Sequence, residues 1–554
     1  MKDPIIKRVW RRMLLELDVF LWKRSTKNFR VKILPPSQKN KVTLFCDLMA
    51  MIAGVKSQAL FARGLAVEGH RIIVLLMSSD SIIQRYYRGV IPNVEFVFFQ
   101  NYMPSEDEID QLDIDALLDQ FRKDSNALIN YELSGVRVGR NALSLAIRQL
   151  RTGRLCLDDS IHLKTTRDAL SLSVRSAIAA KKLISEIRPY RALFNERGYT
   201  PAGEVFDACL LSGCHAFQWI GAPSSDELIF KRYTIENRSQ HPLSLNAVTW
   251  EKITEIKWNG QKSRNVINLI NANYRENAGY NRQKLQEGKK ILTREEVVKA
   301  LELDPSRKTA VIFTHILYDA TFFYGESLFD DYQQWLVEVV RAAIQNKSLN
   351  WIIKVHPVNV WRSKMDNAPL EQLEALVLEA EFGNLPDHIK IMPADTPVNT
   401  GSLFQVLDYG LTVRGTVGME LPCLGVPVIT AGTGRYSGHG FTIDPKSREE
   451  FAELLSRLHL VDSLSEADIE KAQKYYYATM KLRPIKLQVL KLNYEAHTYG
   501  LKDFSVDCHI MDKNCLGKDM KRLCEWMSED SAVDLMGDWD GQTNQSTQIG
   551  GRIF

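Results

Sequence analysis

The sequence predicts an α/β protein built from two Rossmann-type, doubly wound domains that face a cleft, with a basic amphipathic helix ahead of them and a helical extension behind. Three observations predict it. The chain is 554 residues long, too long for one ordinary core. Short β-rich runs alternate with helical stretches in both halves. Several of those runs end in polar or glycine-rich turns, at the edge where open parallel sheets bind ligands.

Composition narrows the class. Hydrophobic residues make up 45% and charged residues 25%, the balance of a globular protein rather than a disordered or membrane-spanning one. A formal net charge of +4 is small for this length and gives no warrant for a nucleic-acid partner. The eight cysteines contain no C-x-x-C pair, and Cys508-His509 with Cys515 and Cys524 lack the spacing of a structural zinc site, so reduced thiols and no metal are expected. The N-terminus has charges inside its apolar portion and no small-residue cleavage pattern, and no run approaches twenty apolar residues. These features place the protein in the cytoplasm.

Residues 1–35 form the basic amphipathic segment. Ile6, Val9, Trp10, Met13, Leu17, Phe20 and Leu21 recur at helical spacing among Lys7, Arg8, Arg11, Arg12, Lys23 and Arg24. Such a helix suits an anionic membrane surface at the inner face of the plasma membrane, and equally suits packing against the protein's own body.

The first domain, 36–260, opens with "KVTLFCD" as a strand, then a glycine-containing turn, the helical "KSQALFARGLAVEGH" and the strand "RIIVLL", a parallel β-α-β unit. Charged helical stretches run from about 106 to 191, and "YRALF" is a further strand followed by a polar loop and a helix. A connector rich in Asn, Arg and Gln covers 261–290. The second domain, 291–460, begins at Thr293, an N-cap with Glu296 three positions on. Its strands are "TAVIFTH", "LNWIIKVHP", "HIKIMP", "VLDYGLTV" and "GVPVITA". C-terminal helices holding the aromatic run "KYYYATMKL" span 461–530, and the polar, glycine-rich residues 531–554 are expected to be disordered.

Chemistry gathers at the strand ends. Arg414-Gly415-Thr416-Val417-Gly418 follows the strand "YGLTV", and Met419-Glu420 begin a helix. Gly415 and Gly418 let backbone amides approach an anion, and a helix start favours phosphate. Arg414 and the Thr416 hydroxyl add donors. Glu420 either stabilises the helix end or accepts ribose hydroxyls. Lys354 and His356 end the strand "WIIKVHP", where they can contact phosphate or protonate a departing oxygen, and His315 ends "TAVIFTH" beside them. In the first domain Glu196, after "RALFN", is the leading general base for an acceptor hydroxyl, with a surface ion pair to Arg197 or a lysine as its alternative; Asp47 is the second base. Arg435 and His439, in the glycine-rich loop 433–441, read equally as donor or acceptor contacts and as solvated side chains.

With "KVHP" on a strand and "RGTVGMELPCLGVPVI" further on, the chain resembles the capsule polysaccharide biosynthesis group of GT-B-fold glycosyltransferases. That group includes the Kdo transferases of capsule export and is distantly similar to the CDP-glycerol glycerophosphotransferases. The resemblance is clear over residues 308–445. It implies a nucleotide-sugar donor held by His356, Gly415, Thr416 and Glu420, and a polysaccharide or lipid-linked acceptor. It also implies sugar transfer with no cofactor and no required divalent metal. An epimerase or hydrolase of sugar nucleotides on the same fold, and a non-catalytic assembly scaffold, are the competing readings.

Overall fold

The computed structural model describes residues 5–27, 38–49, 51–105, 114–222, 227–275, 285–366, 369–370, 372–497, 504–508, 517–529 and 532–537. The chain divides into two compact units, one of residues 1–145, 164–238 and 484–535, the other of residues 146–163, 239–483 and 536–554.

The first unit begins with helix α1 (Ile5–Ser25) and strand β1 (Gln38–Cys46), followed by α2 (Ile52–Val67), β2 (His70–Leu76), α3 (Ser81–Val90), β3 (Glu95–Phe98), β4 (Arg191–Phe194), β5 (His215–Gly221) and β6 (Leu228–Tyr233). The sheet runs β3-β2-β1-β4-β5-β6, parallel except for β6, which pairs antiparallel with β5. Its strands are apolar on both faces because both faces are covered. One layer packs α2 and α3 against Phe45, Val74, Leu193 and Phe217, and the other packs Val205 and Phe206 against Leu44, Leu75 and Phe194.

The C-terminal helices expected at 461–530 do not stay together. Residues 484–535 belong to the first unit, where Ile485 exchanges backbone hydrogen bonds with Leu228 (2.9 and 2.8 Å). Lys231 and Asp534 form a fully buried ion pair at 2.9 Å. The guanidinium groups of Arg191 and Arg232 donate to the carbonyls of Met527 and Trp526, satisfying the open end of helix Lys518–Ser528. A small antiparallel ribbon, β12 (Leu490–His497) with β13 (Phe504–Cys508), was not foreseen. Residues 538–554, most of the segment expected to be disordered, lie outside the described residues.

The second unit contains β7 (Thr309–Phe313), β8 (Asn350–Lys354), β9 (Ile389–Met392), β10 (Tyr409–Thr412) and β11 (Val428–Thr430), all parallel in the order β11-β10-β7-β8-β9. Each strand falls inside the run that predicted it. The capping box at Thr293 and Glu296 is also present. Residues 146–163, expected in the first domain, belong here, tied by the Arg154–Asp331 ion pair at 3.2 Å. Part of the connector is helix Gly260–Arg275, where Asn273 donates to the Tyr476 hydroxyl at 2.9 Å. Tyr475 and Tyr476 of the aromatic run are core residues.

Counted within its own unit, each parallel sheet has the order 3-2-1-4-5, so strand direction of travel reverses between β1 and β4 in one and between β7 and β10 in the other. Ligands bind at such reversals, beyond the carboxyl ends of the strands.

Candidate active site at the second switch point

His315 follows β7 and Arg414 follows β10, on either side of the reversal. The His315 ring is stacked on Tyr332 at 4.4 Å, and its Nε2 receives the N–H groups of Val413 and Arg414 at 3.2 and 3.3 Å and lies 3.1 Å from the Thr412 hydroxyl. An imidazole nitrogen facing two N–H donors carries no proton of its own, so the ring is the neutral Nδ1–H tautomer. Burial, aided by the Arg414 charge, holds its pKa well below the usual histidine range. His315 therefore acts as an acceptor that fixes the 412–415 turn across the switch point.

The turn is held from other directions too. Gly415 N–H donates to the Thr412 hydroxyl at 3.0 Å, and its carbonyl accepts the Tyr436 hydroxyl at 2.7 Å. Tyr436 crosses directly over Gly418, where an added Cβ would lie 1.8 Å from the phenol oxygen. Glycine at 418 thus admits Tyr436, a reason different from the expected close approach of an anion. The helix that follows, Val417–Glu420, has only four residues before a 3-10 turn at Pro422–Leu424. Its macrodipole is correspondingly small. What the turn offers instead is two N–H groups, of Thr416 and Val417, that have no acceptor among the described residues.

Arg414 donates its fork to the carbonyls of Tyr324 and Glu326 and to the Ser327 hydroxyl, and only its buried Nε lacks a partner among the described residues. The guanidinium expected to face a phosphate is spent on a neighbouring loop. Arg435, from the glycine-rich loop, lies with Nη2 2.6 Å from His241 Nε2 and leaves its own Nε buried without a partner among the described residues. Its charge reaches His315, Tyr332 and Glu420.

Glu420 is 2% exposed and accepts the Tyr274 hydroxyl at Oε2, 2.7 Å away. Burial pushes its carboxyl up to about 7, against the Tyr274 hydrogen bond and the Arg435 charge. Tyr274 belongs to the segment read as a connector, and only the helical pattern of 260–275 points to a buried tyrosine there.

Beyond β8 the two expected residues part company. Lys354 is buried, donates Nζ to the Val355 carbonyl at 2.6 Å, and is pushed down to about 7 by burial and by Lys289, with Glu374 opposing. His356 is half-buried, with its N–H on the Thr314 hydroxyl at 3.1 Å and its Nδ1 accepting Val358 N–H at 3.2 Å. That contact puts the proton of the neutral ring on Nε2. Burial, Lys354 and Arg362 push its pKa down to about 4, so near neutral pH it offers a hydrogen-bond donor rather than a charge. A pocket beside it is lined by Arg151, Tyr318, Asn359, Arg362 and Glu374, and Arg362 pairs with Asp319 at 2.8 Å.

In the first unit Glu196 sits at the corresponding edge, after β4. Its Oε1 accepts the N–H groups of Arg197 and Gly198 at 2.7 and 2.9 Å. The Arg197 guanidinium is buried, donating to Gln218 at 2.7 Å and lying over Tyr233 at 4.1 Å. Asp47 is buried with both oxygens taken, by the Gln58 amide and the Tyr87 hydroxyl, and burial raises it to about 6. Glu204, which sequence reasoning passed over, is a buried carboxyl on Ser173 and Thr200, raised to about 7 by burial. Among the described residues no group of His, Cys, Asp and Glu side chains is arranged to hold a metal ion.

No protein-family model matches the chain, and no curated protein sequence does. Solved structures similar to it include the KpsC β-Kdo 2,4-transferase of Thermosulfurimonas dismutans, at 13% identity over 57% of this chain and 84% of that one, with a TM-score of 0.31. The Anabaena protein HepE, solved with UDP and glucose, is 12% identical over 79% of this chain and 94% of that one, with a TM-score of 0.24. The UDP-GlcNAc 2-epimerase of Neisseria meningitidis, bound to UDP-GlcNAc, is 11% identical over 78% of this chain and 95% of that one, also with a TM-score of 0.24.

Proposed function

We propose that the protein is a glycosyltransferase that moves a sugar from a nucleotide-activated donor to an acceptor hydroxyl in surface polysaccharide or glycolipid assembly. The observation that carries the reading is the turn at the second switch point, where two unpartnered N–H groups are held in place by His315 and Tyr436. A diphosphate suits such a place, since fixed N–H donors stabilise the negative charge that grows on a departing phosphate. The acceptor oxygen attacks the anomeric carbon as the bond from that carbon to the diphosphate oxygen breaks. Glu196 is the proposed base for the acceptor proton, and the Nε2–H of His356 the proposed donor to the phosphate or sugar. Glu420 is the proposed partner of the ribose hydroxyls. In this reading protein donors meet the leaving-group charge without a divalent cation. The six cysteines assigned as free thiols agree with a cytoplasmic setting.

Thermal-shift and calorimetric titration with UDP and CMP test the proposal. A bound nucleotide raises the melting temperature by mass action. His356→Ala and Glu420→Ala are expected to weaken that binding, and unchanged affinity in both variants sinks the site.

A further inference from the structure

Helix α1 separates its apolar residues into two faces. One face, with Leu15, Asp18, Val19 and Trp22, is packed into the first unit. Asp18 pairs with buried Lys56 at 2.8 Å and accepts the Tyr86 hydroxyl, and Trp22 Nε1 donates to the Tyr86 carbonyl at 2.9 Å. Gly89 of α3 makes room for the indole, whose edge lies 3.2 Å from where a Cβ would be. The helix is therefore fixed in rotation about its axis.

The other face is the stripe that the sequence singled out, of which the Ile6 side chain lies outside the described residues, and among the described residues nothing covers it. Val9, Trp10, Met13, Leu17, Phe20 and Leu21 are 55, 61, 58, 45, 59 and 41% exposed. At about 100° per residue they fall within roughly a third of the helix circumference, from Val9 to Leu21. Solvent is a costly neighbour for six large apolar side chains in one band. Exposed Arg24 falls within the same sector, near its C-terminal end, and exposed Lys27 lies just beyond the helix. Arg12 lies to one side of the band, where it pairs with Glu16 at 3.2 Å. Among the described residues no helix is long and apolar enough to cross a membrane.

We propose that this band is a docking face for an anionic lipid bilayer, on which α1 lies in the plane of the surface with Trp10 and Phe20 in the interface and Arg24 and Lys27 near lipid phosphates. The charge chooses the occupant. Cations at the edge and within the band suit anionic headgroups, and aromatic side chains with an apolar body suit the boundary beneath them. The two buried anchors, Asp18 and Trp22, keep the band pointing away from the unit, so docking requires no unpacking of the helix.

The test is co-sedimentation of the full chain with vesicles of equimolar phosphatidylserine and phosphatidylcholine, compared with phosphatidylcholine alone. The protein is expected to pellet with the anionic vesicles and to be released by high salt. Trp10→Glu with Phe20→Glu is expected to weaken pelleting at least about tenfold, while melting temperature stays the same because both side chains are exposed. Met13→Gln with Leu17→Gln provides a second, uncharged disruption. Arg24→Glu with Lys27→Glu is expected to abolish the preference for the anionic vesicles. A protein that stays in the supernatant, or variants that pellet like the original, overturn the proposal. So does a chain that runs as a dimer and becomes a monomer in the Trp10 and Phe20 variant, which gives the band to a second copy.

Discussion

Replacing Thr416 by proline deletes one of the two N–H groups that lack an acceptor among the described residues of the turn proposed to hold the donor, and leaves almost everything else in place. The native backbone at 416 has φ −59 and ψ −29, which a proline ring adopts without strain, and the preceding residue is Gly415, the residue least restricted by a following proline. No hydrogen bond inside the protein is lost, because Thr416 N–H has no acceptor among the described residues. A hydrogen bond to a charged group contributes about 1.5–3 kcal/mol. At about 1.4 kcal/mol per factor of ten, UDP or CMP should bind roughly 10- to 150-fold more weakly. Calorimetric titration measures this directly, with Thr416→Ala as the control that loses the hydroxyl and keeps the N–H. If the proline variant melts like the original and binds nucleotide within about twofold of it, the turn does not hold the nucleotide phosphate.

Two further outcomes follow from the same site. Glu420 has its pKa raised from the ordinary carboxyl range to about 7, so the native state holds a proton there that the unfolded chain releases, and stability declines as pH rises from about 4.5 to about 7. Glu420→Gln keeps the shape and cannot ionise, so denaturant melts at several pH values should show a shallower decline over that window. Gly418→Ala places a methyl group within 1.8 Å of the Tyr436 hydroxyl and should cost about 1–3 kcal/mol in urea unfolding; an unchanged midpoint would mean that Tyr436 does not cross the turn.

The strands were legible because their signal is local. "TAVIF", "NWIIK" and "YGLT" are short apolar runs that end in His, Lys-Val-His-Pro and Arg-Gly, and parallel strands buried on both faces need little more than that. Which side chains meet at their ends was less legible. His315, Lys354 and Arg414 read as ligand contacts by their types, yet each hydrogen-bonds to backbone or hydroxyl groups of nearby segments, contacts that no sequence spacing encodes. The Tyr274–Glu420 contact joins residues 146 positions apart, and the return of 484–535 to the first unit depends on edge pairing at Leu228. For α1 the periodicity groups Val9, Trp10, Met13, Leu17, Phe20 and Leu21, all of them exposed, but could not say that Asp18, Val19 and Trp22 provide the packed face.

Gly434 of the glycine-rich loop finds its reason in the same turn. Gly325 and Gly434 adopt φ +90 and +98, left-handed conformations, and meet back to back; a Cβ on Gly434 would lie 2.7 Å from the Gly325 Cα. Their contact lets the segments 326–328 and 431–433 join through Thr433 N–H to the Glu326 carbonyl at 2.8 Å and Leu328 N–H to the Ala431 carbonyl at 2.9 Å. Joined in this way, the 324–327 loop presents the carbonyls that Arg414 grips. Arg414 thus anchors the base of the 412–418 turn, His315 holds the N–H groups of 413 and 414, and Tyr436 holds the carbonyl of 415. The side chains that looked like phosphate ligands fix a short piece of backbone in advance, and on the proposed reading its remaining N–H groups need not reorganise when charge develops on a donor phosphate.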